Sequence, residues 1–348
     1  MKNEIIDYLQ CKDENAINDL FNKALKTKRE HLGNKVYLRG LIEYTNICYK
    51  SCYYCGLRKE NNIERYNLYD AEVIDAAEFA YKNNFGSIVI QSGEVRNKIF
   101  DKQITNLLQK INEKTDNKLG ITLSLGEQDT KTLRKWKEEG NAIRYLLRIE
   151  TSNPALYNKI HPSNSLHSFD KRLKTLNTLK ELNYQVGTGT MIGLPFQTLE
   201  DIADDIIFFK ENDIDMVGLG PYIEHSATPL YIHKDELLPL KDRLELTLKT
   251  IAIIRLLIPD VNIASATALQ VIDPQGREKG ILAGANVVMP NITPTKYRSN
   301  YLLYENKVCL DDTADQCMNC IFNRILSTGS EIGFNEQGNS LHFSKKRK

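Results

Sequence analysis

Residues 36–55 read Val36-Tyr37-Leu38-Arg39-Gly40-Leu41-Ile42-Glu43-Tyr44-Thr45-Asn46-Ile47-Cys48-Tyr49-Lys50-Ser51-Cys52-Tyr53-Tyr54-Cys55. The first nine are rich in β-branched, aromatic and aliphatic side chains, as a buried strand requires. Directly behind them, Cys48, Cys52 and Cys55 stand in Cys-x3-Cys-x2-Cys spacing. In α/β barrels the chemistry collects at the C-terminal ends of the strands. The stretch therefore predicts both the first unit of such a barrel and the place of its site.

Outward from this unit, β-rich runs recur at 36–44, 87–91, 120–125, 144–149, 185–192, 216–222, 262–268 and 285–290. Helical stretches with apolar residues at i, i+3 and i+4 separate them, at 71–82, 103–112, 130–139, 169–182, 199–212 and 242–257, with a short seventh near 277–283. Such repeats predict an α/β fold: a complete (βα)8 TIM-type barrel with N-terminal helices and a C-terminal cysteine-containing extension. An open doubly wound sheet reverses its strand order, and the even repeats show no such break. Residues 1–34 read as an N-terminal extension of two short helices joined at Lys12-Asp13-Glu14, packed on the barrel bottom. Residues 35–304 make the barrel, and 305–348 the C-terminal extension, with a helix over 317–327. The last ~15 residues are polar and are expected to be disordered.

The 348 residues carry a formal net charge of +1, so no global basic field draws the chain to nucleic acid. The terminal Lys345-Lys346-Arg347-Lys348 reads as a solvated end. A membrane span needs ~20 apolar residues, and the longest apolar run, 251–259, is interrupted by Arg255. The N-terminus has no apolar secretion core. A cytoplasmic protein is expected, without nucleic-acid or membrane partners. Its seven cysteines then read as metal ligands or free thiols, not disulfides. Cys11 stands alone and reads as a small buried residue. The others fall in two groups, at 48–55 and 309–320.

Three thiolates so close in sequence ligate three irons of a cubane 4Fe-4S cluster and leave the fourth iron open. The amino and carboxylate groups of S-adenosylmethionine (SAM) can chelate that open iron. An electron from the cluster then splits the sulfonium into methionine and a 5′-deoxyadenosyl radical. Zinc prefers four ligands and Cys-x2-Cys pairs. Cys48, Cys52 and Cys55 are therefore the candidate catalytic and metal-binding residues. Arg144, Arg148 and Glu150 share one side of the fourth run. Inside a barrel they need partners or a ligand. Thr122 and Ser124 alternate in the third run and Gly187 and Gly189 in the fifth, leaving room and hydroxyl groups, or simply filling a core.

Several motifs narrow this chemistry. They are residues 42–58 with the cysteine loop, Gln91-Ser92-Gly93-Glu94, Ser124-Leu125-Gly126-Glu127, Arg144-Tyr145-Leu146-Leu147-Arg148-Ile149-Glu150-Thr151, Met191-Ile192-Gly193-Leu194-Pro195 and Ala285-Asn286-Val287-Val288-Met289-Pro290-Asn291. Together they resemble the HydE family of FeFe-hydrogenase maturases, from about residue 30 to 325. The wider radical SAM group includes biotin synthase and methylornithine synthase. The resemblance implies SAM contacts from Tyr54, Glu94, Ser124, Glu150, Arg172, Met191 and Leu194. Tyr54, Met191 and Leu194 would lie at the adenine, Glu94 at the ammonium, Arg172 at the carboxylate, and Glu150 at the ribose or methionyl end. It implies substrate contacts from Gln91, Ser92, Thr122, Arg144, Arg148, Thr267 and Tyr301. The implied substrate is a small iron–carbonyl–cyanide–cysteine complex, supplied by a HydG-type maturase on the way to the diiron unit of hydrogenase. A downstream scaffold maturase and a low-potential electron donor complete the implied partners.

Cys309, Cys317 and Cys320 read Cys-x7-Cys-x2-Cys, competent for a second iron–sulfur cluster (2Fe-2S or 4Fe-4S) or for zinc with a fourth ligand. The resemblance implies an accessory cluster near the surface. The chain departs from the family at Ala266-Thr267, where two threonines are usual, and at Glu224, where proline is expected. Both departures touch the substrate side. Sulfur insertion of the biotin synthase kind needs cysteines on barrel strands, and none lies between 56 and 308. A methylornithine synthase-like mutase needs no second cysteine group. An iron–sulfur carrier or scaffold would bind no SAM and leaves the eight repeats unexplained.

Overall fold

Parallel strands and helices alternate along the chain, as the repeats predict. The computed structural model describes residues 1–346; Arg347 and Lys348 of the basic end lie outside the described residues. The strands are β1 Lys35–Thr45, β2 Ser87–Ser92, β3 Gly120–Ser124, β4 Ala142–Leu146, β5 Gln185–Thr188, β6 Met191–Ile192, β7 Met216–Val217, β8 Gly220–Pro221, β9 Asn262–Ile263, β10 Val287–Val288 and β11 Glu331–Ile332. The main sheet is parallel and runs β10-β1-β2-β3-β4-β5-β7-β9, with β11 added on β1. The sheet is curled, and backbone bonds run between residues near its two ends. Asn286 N–H donates to Ile263 O at 2.9 Å and Ser265 N–H to Val287 O at 2.8 Å. Strands covered on both faces must be apolar throughout, and Ile88, Val89 and Ile90 of β2 are buried accordingly.

The helices Asp70–Lys82, Lys98–Lys114, Thr130–Glu138, Phe169–Glu181, Leu199–Glu211, Leu240–Leu257 and Gly276–Leu282 lie within a few residues of their predicted bounds. Local periodicity sets them, and side-chain caps end several: Asn97, Asp129 and Ser168 each accept from a first-turn N–H. Two predicted strands are each split. The 185–192 run becomes β5 and β6, and 216–222 becomes β7 and β8, with β6 pairing β8 beyond the main sheet. The backbones touch at the split: a Cβ on Gly189 would stand 1.8 Å from Gly218 O. The predicted 262–268 strand is only Asn262–Ile263, and Thr267 instead starts a helix.

Two expectations about the ends are corrected. The N-terminal helices, Lys2–Gln10 and Glu14–Leu32, do not close the barrel bottom. They pack on the outer helices Leu199–Glu211, Leu240–Leu257 and Gly276–Leu282. The reason lies in Leu240–Leu257, which has buried residues all round and needs cover on its outer face. Through Lys346 the C-terminal tail is ordered, and it covers the starts of the strands itself. After β11, Gly338 O accepts from Arg39 at 3.2 Å and from Asn262 at 2.8 Å, and Asn339 Oδ1 accepts from Arg144 at 2.6 Å and Gln185 at 2.8 Å. His342, Lys345 and Lys346 then pair with Asp213, Asp215 and Asp260. The polar tail composition reflects these partners at the strand starts. Among the described residues no helix is long and apolar enough to cross a membrane.

Candidate active site

β1 ends at Thr45, and the cysteine loop that follows is tied down by backbone-directed side chains. Arg65 donates to the carbonyls of Asn46 (2.6 Å), Leu57 (2.9 Å), Arg58 (2.8 Å) and Asn61 (3.0 Å). Asn46 bonds Glu64 O and Asn300 O, both at 2.7 Å. His167 Nε2 accepts from Ser51 N–H at 2.9 Å while Nδ1 meets Asn164 Oδ1 at 2.8 Å. Burial, with Lys50 and Arg172 nearby, holds His167 down at about 4. The ring is therefore neutral, with its proton on Nδ1. At β2's end, a Cβ on Gly93 would lie 2.2 Å from Ile47 O and 2.8 Å from Cys48 Cβ. Only glycine lets this backbone approach the first cysteine so closely.

Cys48 Sγ accepts from Lys50 N–H at 3.4 Å and from Glu94 N–H at 3.3 Å. Leu57 N–H bonds the Cys55 sulfur. Such N–H···S bonds favour a thiolate that ligates iron. Without metal, burial pushes Cys52 up to about 12 and raises Cys48 and Cys55 as well, so metal loading must displace protons. The donor set thus fits an iron–sulfur cluster. Among the described residues, no three His, Cys, Asp or Glu side chains converge on a single-ion cage. A cubane spreads its cysteines over separate irons and does not require one.

Beside the thiols lies a buried charge cluster that joins four different β/α units. Lys50 Nζ meets Glu94 Oε1 at 3.3 Å and Glu127 Oε1 at 3.1 Å. Arg172 Nε donates to Glu127 at 2.8 Å and its NH2 lies 3.8 Å from Glu94. Glu94 Oε2 also accepts from Glu127 N–H at 3.0 Å. Lys171 Nζ adds a third cation, 3.8 Å from Glu127 Oε2, so the two carboxylates are fully offset. Burial raises Glu94, against the pull of Lys50 and Arg172; at Glu127, Arg172 and Lys50 overcome burial and hold the carboxyl low. Arg172 NH1 continues to Arg148 O at 2.8 Å. Arg148 in turn forks onto Glu150 Oε2, at 3.1 Å from Nε and 3.0 Å from NH2.

The expected alternation of Arg144, Arg148 and Glu150 along one strand is corrected. β4 ends at Leu146, and Glu150 adopts the left-handed region at φ +67°. Arg144 sits where the strands begin, its Nε on Thr122 Oγ1 at 2.9 Å and its NH1 on tail residue Asn339. Arg144 and Arg148 thus serve different networks and do not form one anion-binding surface, and Thr122 belongs with Arg144. Thr267 accepts from Arg277 NH2 at 3.1 Å. Gln91 Nε2 donates to Tyr301 OH at 3.3 Å, and Ser92 Oγ to Gly93 O at 2.6 Å. Gln91 stands in register with Ser124, half-buried at the end of β3. Glu224 is held by Arg243 at 2.7 Å, which absorbs that departure from the family pattern.

Tyr54, Met191 and Leu194, far apart in sequence, pack into one apolar shelf with Leu156, Ile160, Tyr222 and Leu230. Tyr54 OH lies 3.2 Å from His161 Nε2, and His161 Nδ1 bonds Tyr157 O at 2.9 Å. Burial keeps His161 neutral, so its Nε2 accepts a hydrogen bond from the Tyr54 hydroxyl.

The second cysteine group is set by the helix Ala314–Ser327. A hydrogen bond shared by Cys309 and Cys317 lowers Cys317, with Arg277 and Arg298 nearby, and raises Cys309. Arg298 NH1 donates to Cys309 O at 3.0 Å, and Arg324 Nε to Cys320 Sγ at 3.2 Å. The surroundings are electropositive, as metal-binding thiolates require. Sequence reasoning missed Lys50, Glu127, Arg65, His161 and His167. Glu127 stood inside a quoted motif and Lys50 inside the cysteine loop; the two histidines carried no local signal.

A family model of the radical SAM superfamily matches residues 42–209. The [FeFe] hydrogenase maturase subunit HydE of Thermotoga maritima is 43% identical over 329 residues, covering 92% of this chain and 90% of the relative. The 3-methylornithine synthase of Methanosarcina acetivorans is 28% identical, covering 84% and 81%. Among solved structures, methylornithine synthase (PylB) superposes with a TM-score of 0.81 over 96% of this chain and 94% of that one; at 24% identity this likeness speaks for the fold alone.

Proposed function

This chain belongs to the radical SAM superfamily and, within it, to the HydE family of FeFe-hydrogenase maturases; it is a radical SAM enzyme of hydrogenase maturation, and on that premise we propose how its residues divide the work. The observation that carries the reading is Cys48 Sγ held between two N–H donors, next to the apolar shelf and the buried charge cluster. The family implies a 4Fe-4S cluster and SAM, and Cys48, Cys52 and Cys55 would hold the cluster. When bound, it supplies the electron that splits SAM into methionine and a 5′-deoxyadenosyl radical. Tyr54, Met191 and Leu194 give the adenine an apolar face. Glu94, fixed by Lys50 and Glu127 N–H, takes the ammonium, and Arg172 the carboxylate. Glu150, oriented by Arg148, takes the ribose or methionyl end with Ser124.

Gln91, Ser92, Arg148, Thr267 and Tyr301 would face the second substrate, a small iron–carbonyl–cyanide–cysteine complex delivered by a HydG-type maturase. The product would pass to a scaffold maturase, and a low-potential donor would refill the cluster. Arg144 and Thr122 support the barrel bottom instead. Cys309, Cys317 and Cys320 would hold a second iron–sulfur cluster, a role favoured by their three arginine neighbours. The bonds between β9 and β10 support a complete (βα)8 barrel over 35–304, flanked by 1–34 and 305–348. A reducing cytoplasm suits both cysteine groups.

Anaerobic reconstitution followed by a 5′-deoxyadenosine assay tests the centre of this reading. Cys48→Ala, Cys52→Ala and Cys55→Ala are each expected to abolish SAM cleavage. Parent-like product from any one of them would overturn the cluster assignment.

A further inference from the structure

On the outside of the sheet, a groove of about 910 Å3 runs along the helices Lys98–Lys114 and Thr130–Glu138. Its inner end is formed by Tyr49, Lys50 and Glu94. The backbone N–H groups of Lys50 and Glu94 are the two donors to Cys48 Sγ. Two residues of the groove lining therefore bond directly to the first cysteine. Tyr49, 41% exposed, and Leu166, 44% exposed, present an apolar spot there.

Around that spot stand Lys98, Lys102 and Lys131, all exposed, with no ion-pair partner among the described residues. The acidic groups of the groove are mostly engaged. Asp101 pairs with Lys135 at 3.6 Å; Asp129 caps its helix by accepting from Thr132 N–H at 2.8 Å, and its remaining charge is matched by Arg96 of the same lining. Glu94 belongs to the buried cluster, which leaves Glu139. In a chain of net charge +1, this is a local positive field with an apolar centre.

We propose that this groove is the docking surface for a small acidic electron-carrier protein that itself holds an iron–sulfur cluster. The proposal rests on the radical SAM reading above. The carrier's reduced cluster gives up one electron and is oxidised; the 4Fe-4S cluster at Cys48, Cys52 and Cys55 gains it and is reduced. No proton or atom moves between the proteins. Redox encounters of this kind use small, transient interfaces. The lysine ring speeds the encounter through charge complementarity, and the apolar centre lets the two clusters approach with little polar surface to dehydrate.

The test uses full-length protein with Lys98→Glu, Lys102→Glu and Lys131→Glu combined, and an acidic bacterial-type ferredoxin as the probe. With dithionite as reductant, 5′-deoxyadenosine formation is expected to stay within twofold of the parent. With reduced ferredoxin below saturation, the rate falls at least tenfold, through KM for ferredoxin and not through kcat. Titration of oxidised ferredoxin onto cluster-free protein weakens by a similar factor, and added salt weakens the parent more steeply than the variant. The milder triple Gln variant falls at least threefold in both readouts, which covers a Glu variant that does not fold. Unchanged ferredoxin binding and unchanged ferredoxin-driven rate overturn the docking surface. A parent that does not cleave SAM even with dithionite overturns the radical SAM reading instead.

Discussion

Glu150 holds its left-handed backbone because the next two residues are anchored on Asp205. Ser152 N–H and Oγ donate to Asp205 Oδ1 at 2.5 and 2.7 Å, and Thr151 Oγ1 lies 3.5 Å away. Asp205 Oδ2 has no partner, and burial pushes the carboxyl up to about 7 from its ordinary 3.8. Between those values the folded chain keeps a proton that the unfolded chain has lost. This contribution to stability therefore falls as pH rises from 4 to 7, and the penalty is complete above 7. Asp205→Asn removes the titration. The parent should gain on the order of 3 kcal/mol relative to Asp205→Asn as pH falls from 8 to 4. Urea unfolding of both proteins across that range measures it, and a pH-independent difference would count against the assignment.

At the scale of elements, the helix Glu14–Leu32 buries Lys28 against Leu240–Leu257. Lys28 Nζ has no hydrogen-bond partner, and burial, then Arg255 and Arg29, lowers it to about 7. The folded chain thus binds fewer protons than the unfolded one between pH 7 and 10.5. Stability from this group rises with pH through that window, and its penalty is fully present below 7. Lys28→Met keeps most of the volume and drops the charge. It should stabilise the protein by about 1–3 kcal/mol at pH 7, fading towards pH 10; thermal melts at the two pH values decide. A loss of stability at pH 7 would mean that the amine finds a partner in solution. The helix Ala314–Ser327 carries a separate prediction. Replacing Cys309, Cys317 and Cys320 together by alanine should remove iron or an absorbance band yet leave 5′-deoxyadenosine formation intact. A folded variant that keeps the first cluster but cannot cleave SAM would contradict the independence of the two sites.

Across the whole molecule, the C-terminal tail is what lets charged residues stand inside the barrel bottom. Arg39 and Arg144 are both buried, and both end on residues 338–339. A chain ending at Gly329 would leave two guanidinium groups without these acceptors. Hydrogen bonds to charged groups contribute about 1.5–3 kcal/mol each, so this truncation should cost more than about 3 kcal/mol in denaturant unfolding. Ending the chain after Leu341 keeps residues 338–339 and removes the outer pairs of His342, Lys345 and Lys346 with Asp213, Asp215 and Asp260. The cations of these pairs are partly exposed, which limits each pair to about 0–1 kcal/mol, and buried Asp215 keeps its bond from Val186 N–H at 2.8 Å. Similar losses from the two truncations would show that the tail does not seal the barrel.

By itself, the sequence determined the alternation of strands and helices, the cysteine loop at the end of β1 and the close spacing of three thiols. Each of these is written in local order: an apolar period, a capping residue, a spacing of eight residues. It also named Tyr54, Met191 and Leu194, through resemblance, before they were seen to share one shelf. Only the tertiary structure decided the rest. The cluster of Lys50, Glu94, Glu127 and Arg172 draws one side chain from each of four units, and nothing local says which charges will meet. Arg144 and Arg148 share a parity along the chain, yet β4 stops between them, and where a strand stops depends on its neighbours' hydrogen bonds. The tail looked disordered because its partners, Arg39, Arg144, Gln185 and Asn262, stand at the starts of four strands distant in sequence. Polar groups in a tail stay solvated unless folding brings complementary ones within reach, and that complementarity exists only once the sheet has curled.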